Sequence, residues 1–220
     1  MRHLLTTLFF LLPPSGLKNR LLNLVGHDIH PSARIGIGLA QRVDRFELAE
    51  GVRIGNWNAF RFLARVQMGR GSRIVMFNWI LGGSGFEPGE DVHGTRRTLR
   101  MGDQSHIISF HFLDCGAGLI LDDNCWITGI RSTVLTHAFD PRAAAFILEP
   151  VTLKKGAIVA TSCTLLPGSV LGEGALLAAG STMWTGQEIA GGFLHGGVPA
   201  RRLAPIEVAE EAYQRQGPLG

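Results

Sequence analysis

The stretch Thr136–Pro141, "THAFDP", holds the side chains best suited to chemistry. An imidazole titrates near neutrality, so His137 can take a proton from one group and hand it to another. Such a base works better when a second group fixes its tautomer. Asp140, Asp114 and Glu149 are the acidic candidates for that task. Plainer readings stand beside these. His137 is equally a turn histidine bonded to backbone, and Asp140-Pro141 is equally turn chemistry, Asp starting the turn and Pro fixing φ. His106 and His111 add a third possibility. Their H-x4-H spacing, with His137, makes a three-histidine zinc set whose open position would activate water.

The elements that must position these residues are written as a period of six. Leu153, Val159, Leu165, Leu171, Leu177 and Met183 recur without a miss. Two residues before each stand Val151, Ala157, Cys163, Ser169, Ala175 and Ser181, all but the first small. A period of six is neither helical nor a simple strand alternation. It fits a solenoid of short strands joined by turns, three hexads to a coil of about 18 residues, with coils stacked roughly 4.8 Å apart. The beat also runs upstream, through Ile29 and Ile35, then Leu48, Ile54 and Phe60. Phe62, Met68, Ile74 and Ile80 carry it in a shifted phase, and Met101, Ile107, Leu113, Leu121 and Ile127 resume it. Two long breaks read as inserted loops, near 82–98 and at 138–150, the second directly after His137.

The chain has 220 residues, 45% hydrophobic and 18% charged, a core-forming composition. Its 29 glycines suit a fold with many tight turns. The formal net charge of +3 is scattered, apart from Arg96-Arg97, Lys154-Lys155 and Arg201-Arg202. No basic stripe interleaved with aromatics suggests nucleic acid; a small anionic ligand fits better. Cys115, Cys125 and Cys163 form no CxxC pair and no even disulfide set, which suits reduced thiols in the cytoplasm. "LLTTLFFLL" at residues 4–12 is too short to span a bilayer, which needs roughly 20 residues. In the following segment Leu17, Leu21, Leu24 and Val25 share a helical face, with Lys18 and Arg20 off it. Residues 1–26 therefore read as a helical lead that either covers the domain end, the plainer reading, or rests on a membrane surface at the inner face.

The repeat resembles that of the hexapeptide-repeat acyltransferases, over about Gly26 to Leu203. "LPGSVLGEGALLAAGSTM" is similar to their PGV-x-IG-x5-GAGS stretch, and "GGVPARRL" to their closing turn. "LTHAFDP" resembles a segment of maltose and galactoside O-acetyltransferases. "LLPPSGLKNRLLNLVGH" and "SFHFLDCGAGLILDD" look more like bacterial polysaccharide-associated members. The resemblance implies an all-β, left-handed parallel β-helix over 27–200, with short N- and C-terminal helices and a tail or helix at 201–220. It implies direct acetyl transfer from acetyl-CoA to a hydroxyl of a sugar or polysaccharide precursor, and a homotrimer. His137 becomes the general base with Asp140 beside it, and His111 and Asp114 become acceptor contacts. Thr161, Ala179, Trp184 and Arg201, with Arg202 adjacent, match the donor-binding positions. No metal is called for. The chain departs from the pattern in three places, one being "IVAT", with Ala160, where the family carries W-I-G. Ser105, His106, Ser109 and His111 stand where the sugar acetyltransferases carry asparagines, and Trp184 replaces a smaller residue. The alternatives are a zinc enzyme of the gamma-class carbonic-anhydrase type and a non-catalytic β-helix scaffold.

Overall fold

A computed structural model describes residues 1–83, 91, 93–142 and 144–206. Two short helices, α1 (Arg2–Phe10) and α2 (Gly16–Leu24), precede the repeat. Among the described residues the chain then winds through three sheets of eight, nine and seven strands, parallel except for the last strand of the nine. Successive strands fall on the first, second and third sheet in turn, so three strands complete a triangular coil. Most strands are two to four residues long, because each side of the prism must end at a corner.

The hexad residues make the core. On the second sheet Ile35, Ile54, Ile74, Ile107, Ile127, Val159 and Leu177 pair in register as one buried column. Leu48, Met68, Met101, Leu121, Leu153 and Leu171 form the first sheet's column. Phe60, Ile80, Leu113, Val134, Leu165 and Met183 form the third's. The small partners Ala157, Cys163, Ser169, Ala175 and Ser181 are buried as expected, since the narrowing corners admit little volume. Phe62 departs from the expected phase. It occupies a corner at φ 59°, and Leu63 takes the interior position.

The ends close differently. The first coil has no preceding coil to pair with, and the helices supply the missing partners. Lys18 Nζ donates to Gly36 O (2.7 Å), Asn19 Nδ2 to Ala33 O (2.8 Å), and Asn23 exchanges two bonds with Ile29. Phe10 and Leu22 enter the core, Phe10 stacking on Phe46. The leucine face expected to cover the end does not do so. Lys18 and Asn19 are buried, while Leu17 and Leu24 are exposed. At the other end Arg201–Pro205 is a strand, antiparallel to Phe193–Gly196. The expected C-terminal helix lies outside the described residues from 207 onward.

Three buried histidines link this packing to pH. Burial lowers His27, His106 and His111 from 6.5 to about 4. The folded state therefore holds them neutral, while the unfolded chain takes up protons as pH drops below 6.5. Their contribution to stability is complete above pH 6.5 and is lost as pH falls through 4. Calorimetry from pH 7.5 to 4 should show Tm falling by on the order of 10 °C. His111→Leu should flatten part of that fall.

Candidate active site

His137 stands where the chain leaves the third sheet for the first. Three successive coils make this corner differently. The lowest leaves after Trp79–Leu81 and returns at Thr98–Met101. The middle one crosses in four residues, 115–118, between Phe112–Asp114 and Leu119–Leu121. The third carries an antiparallel hairpin, His137–Asp140 against Ala145–Leu148, where the break at 138–150 was expected. A short crossing between two long ones leaves a notch.

Hydrogen bonds tie the walls of the notch to its floor. Arg97 N donates to Gly116 O (2.9 Å), and Thr95 Oγ1 to Ala117 O (2.7 Å). From the other wall, Thr136 Oγ1 accepts from Ala117 N (3.0 Å). His93 Nε2 lies 3.0 Å from Glu149 Oε2, bridging the two insertions. Gly118 shows how close the approach is: its φ is +118°, and a Cβ there would meet Thr95 at 2.7 Å.

At the notch His137 Nδ1 lies 2.7 Å from Asp114 Oδ2. The imidazole is partly exposed and the carboxylate is buried. Asp114 also accepts from Gly116 N (2.9 Å), Thr136 N (2.8 Å) and Thr136 Oγ1 (2.7 Å). An ionised carboxylate is acceptor-only and can take all four bonds. With Asp114 accepting, Nδ1 carries the proton and Nε2 carries the lone pair, the tautomer a general base needs.

The structure redistributes the remaining expectations. Asp140, proposed beside the base, accepts from Arg142 N (2.9 Å) and Arg142 Nε (3.2 Å) at the hairpin turn. The carboxylate on His137 is instead Asp114, one of the three acids the sequence offered for that task, though the resemblance placed it at the acceptor. Glu149 faces His93. His111 is not placed for the acceptor. It is buried inside the coil, its Nδ1 accepting from Ser132 N (3.1 Å). His106 lies on the outer row of the second sheet, stacked on Trp126 at 4.7 Å. His106, His111 and His137 therefore occupy three different surroundings, and no metal-holding group of three ligands forms among the described residues.

The donor-site candidates split between corners. Thr161 and Ala179 sit where the chain passes from the second sheet to the third, and Trp184 where it leaves the third, beyond Thr182–Met183. A side of the prism separates those corners, about 16 Å for five extended residues. Thr161 Oγ1 donates to Ile130 O (2.8 Å), and Gly129 beside it has φ +65° with no room for a Cβ. Arg201 and Arg202 are exposed on the final strand, and Arg202 lies over the Phe193 ring at 3.5 Å. One chain therefore does not bring Thr161 and Ala179 to His137. Thr136 and His93 escaped the sequence reading, because only the stacking of coils brings them to Asp114 and Glu149.

No protein-family profile and no curated protein matches the chain. Solved structures do match. AntD, an N-acyltransferase from Bacillus cereus in complex with dTDP and 3-hydroxybutyryl-CoA, is 19% identical, covering 77% of this chain and 83% of its own, with a TM-score of 0.53. An AntD variant in complex with dTDP-4-amino-4,6-dideoxyglucose and coenzyme A is 17% identical over 89% and 92%, with a TM-score of 0.52. A hexapeptide-repeat acetyltransferase from Vibrio cholerae is 19% identical over 64% and 74%, with a TM-score of 0.51. At these identities the likeness is one of fold: the chain is a left-handed parallel β-helix of the hexapeptide-repeat type.

The four bonds to Asp114 make it a structural keystone of the notch as well. Asp114→Ala should destabilise the protein by about 2–4 kcal/mol in urea denaturation, since several buried donors lose their acceptor.

Proposed function

We propose that this protein transfers an acyl group, acetyl in the simplest case, from coenzyme A to a hydroxyl of a sugar or polysaccharide precursor. The observation that carries the reading is the His137–Asp114 pair at 2.7 Å, set in a notch in an otherwise regular wall. The thioester supplies an activated acyl carbon when bound. His137 Nε2 takes the proton from the attacking hydroxyl and returns it to the departing sulfur. Asp114 holds the ring's orientation and stabilises the imidazolium while it carries that proton, so Asp114 is a positioning residue. No nucleophilic serine is required, because the acceptor attacks directly.

The residues present suit a coenzyme A arm. On the last coils of that corner Thr161, Ala179 and Gly180 present only small side chains, and a Cβ at Gly180 would meet nothing within 4 Å. Arg201 offers an exposed guanidinium, whose forked donors match phosphate. Coenzyme A and an acyl thioester of it are found with AntD, an N-acyltransferase of the same fold.

We infer a homotrimer for the same reason. With the donor corner and the base corner on opposite edges of the third sheet, a neighbouring copy must bring one to the other. The surface offers an interface there. Trp57, Phe77 and Phe110 stand exposed on successive coils at the donor corner, Phe77 stacked on Phe110 at 5.0 Å. All three have positive φ, between 57° and 61°, a conformation that costs a non-glycine residue roughly 1–3 kcal/mol. Exposed aromatics held in such backbone fit a packed contact better than a solvated one. The three buried thiols, unpaired among the described residues, suit a cytoplasmic setting.

Thiol release from acetyl-CoA, followed over a panel of sugars and nucleotide sugars with hydroxyl and amino acceptors, tests the reading. His137→Ala should lower turnover by at least a hundredfold with acetyl-CoA binding retained, and Arg201→Ala should weaken that binding instead. Activity within a few-fold of wild type in His137→Ala would remove the base assignment, and wild type that fails to bind acetyl-CoA would favour a scaffold. Phe110→Asp should shift the sedimenting species toward monomer and remove activity without lowering helix-cap or coil stability.

A further inference from the structure

We propose that the outer face of the N-terminal helix pair docks on an anionic lipid surface. This goes beyond the transfer reading and does not depend on it.

An ordinary surface helix buries its whole apolar stripe; here each helix sends only part of it inward, Phe10 from α1 and Leu22 from α2, and buries polar groups beside it. Thr6 of α1 is buried and bonds His27 Nε2 at 2.9 Å. Lys18 of α2 is fully buried, its Nζ bonded to Phe10 O, Leu12 O and Gly36 O, and burial lowers it to about 8. The polar groups face inward because the first coil's unpaired backbone demands them. Five leucines are left outside, while Leu22 is buried. Leu4, Leu8 and Leu11 line one face of α1, and Leu17 and Leu24 line one face of α2, with exposures from 50% at Leu8 to 82% at Leu24. Five leucines on one end of a prism make an apolar patch that nothing in the chain's described residues covers.

The charge around the patch selects the occupant. Residues 1–80 carry 11 of the chain's 21 Lys and Arg but only 4 of its 18 Asp and Glu. Arg34 lines the same shallow depression as Ser15 and Gly16 at the start of α2. Behind it, Arg34 and Arg53 stack in register on the outer row of the second sheet, both exposed. Arg20 is exposed on α2 itself, between Leu17 and Leu24. Neither Arg20, Arg34 nor Arg53 has an ion pair among the described residues. Apolar side chains rimmed by guanidinium match the two layers of an anionic bilayer, acyl chains below and phosphates above. A second copy fits less well, since a self-paired interface would set this basic rim against itself. No described helix is long and apolar enough to cross a membrane, so the pair would lie in the interface plane.

Vesicle flotation of the full chain tests this. Wild type should float with phosphatidylcholine vesicles containing roughly 30% phosphatidylglycerol, and at least tenfold less with phosphatidylcholine alone or in about 0.5 M salt. Leu8→Glu with Leu17→Glu should lose flotation at least tenfold while keeping the wild-type melting curve, because both side chains are already exposed. Arg34→Glu with Arg53→Glu should lose it as well, with the leucines intact. Leu8→Trp should float like wild type and shift its fluorescence to the blue on the same vesicles. Wild type that stays off the anionic vesicles overturns the proposal, as does undiminished flotation of the double glutamate variant. A glutamate variant that lowers the lipid-free oligomer mass, with wild type indifferent to vesicles, overturns it in favour of a second copy.

Discussion

Apart from the hairpin at His137–Leu148 and the closing strand Arg201–Pro205, each described strand finds its hydrogen-bond partners one coil away, and that requirement governs the rest. Thr128 N bonds Val159 O, Ala160 N bonds Leu177 O, and Ala178 N bonds His195 O, each one coil further along. Such a ladder tolerates no insertion within a side. Extra residues can leave only at corners, where a strand has already ended. The two long insertions obey this, and they leave at the same corner with one short crossing between them. The notch is thus a by-product of where a stacked coil can be interrupted, and His137 at its rim gains exposure without disturbing the core.

The same requirement explains the helices. A β-helix has two raw ends, each a row of unpaired donors and acceptors. One end is closed by an antiparallel return of the chain through Arg201–Pro205. The other is closed by side chains, with Lys18, Asn19 and Asn23 reaching onto the first coil. The backbone's need for polar partners outweighs the ordinary preference for burying leucine. An end cap built this way buries Phe10 and Leu22 but leaves five leucines outward.

The candidate site was legible in part. His137 is found from the sequence because it sits where the repeat breaks, and a break in a strict repeat is visible without coordinates. Its carboxylate partner is only narrowed to Asp140, Asp114 or Glu149. Asp140 is the nearest acid downstream in sequence, but three residues along a hairpin strand carry it away to the turn with Arg142. Asp114 is 23 residues upstream yet one coil below, and one coil is the shortest distance in this fold. His111 failed as an acceptor contact for a related reason. It precedes inward-facing Leu113 by two residues, so strand alternation turns it inward too.

The sequence by itself determined the repeat, the burial of nearly every hexad residue, and the positions at which the coil is interrupted. Those follow from local periodicity, because each coil is one short stretch of chain with its apolar side chains turned inward. Only the tertiary structure decided which residues meet. Asp114 reaches His137, Thr95 reaches Ala117, and the polar faces of α1 and α2 reach the first coil, all through stacking between coils or across an end. Phase shifts at each inserted corner set that stacking, and a one-residue change in phase turns a side chain from the core to the surface. Phe62 and Leu63 mark the point: the six-residue beat puts Phe62 inward, and the corner at φ 59° gives the interior to Leu63.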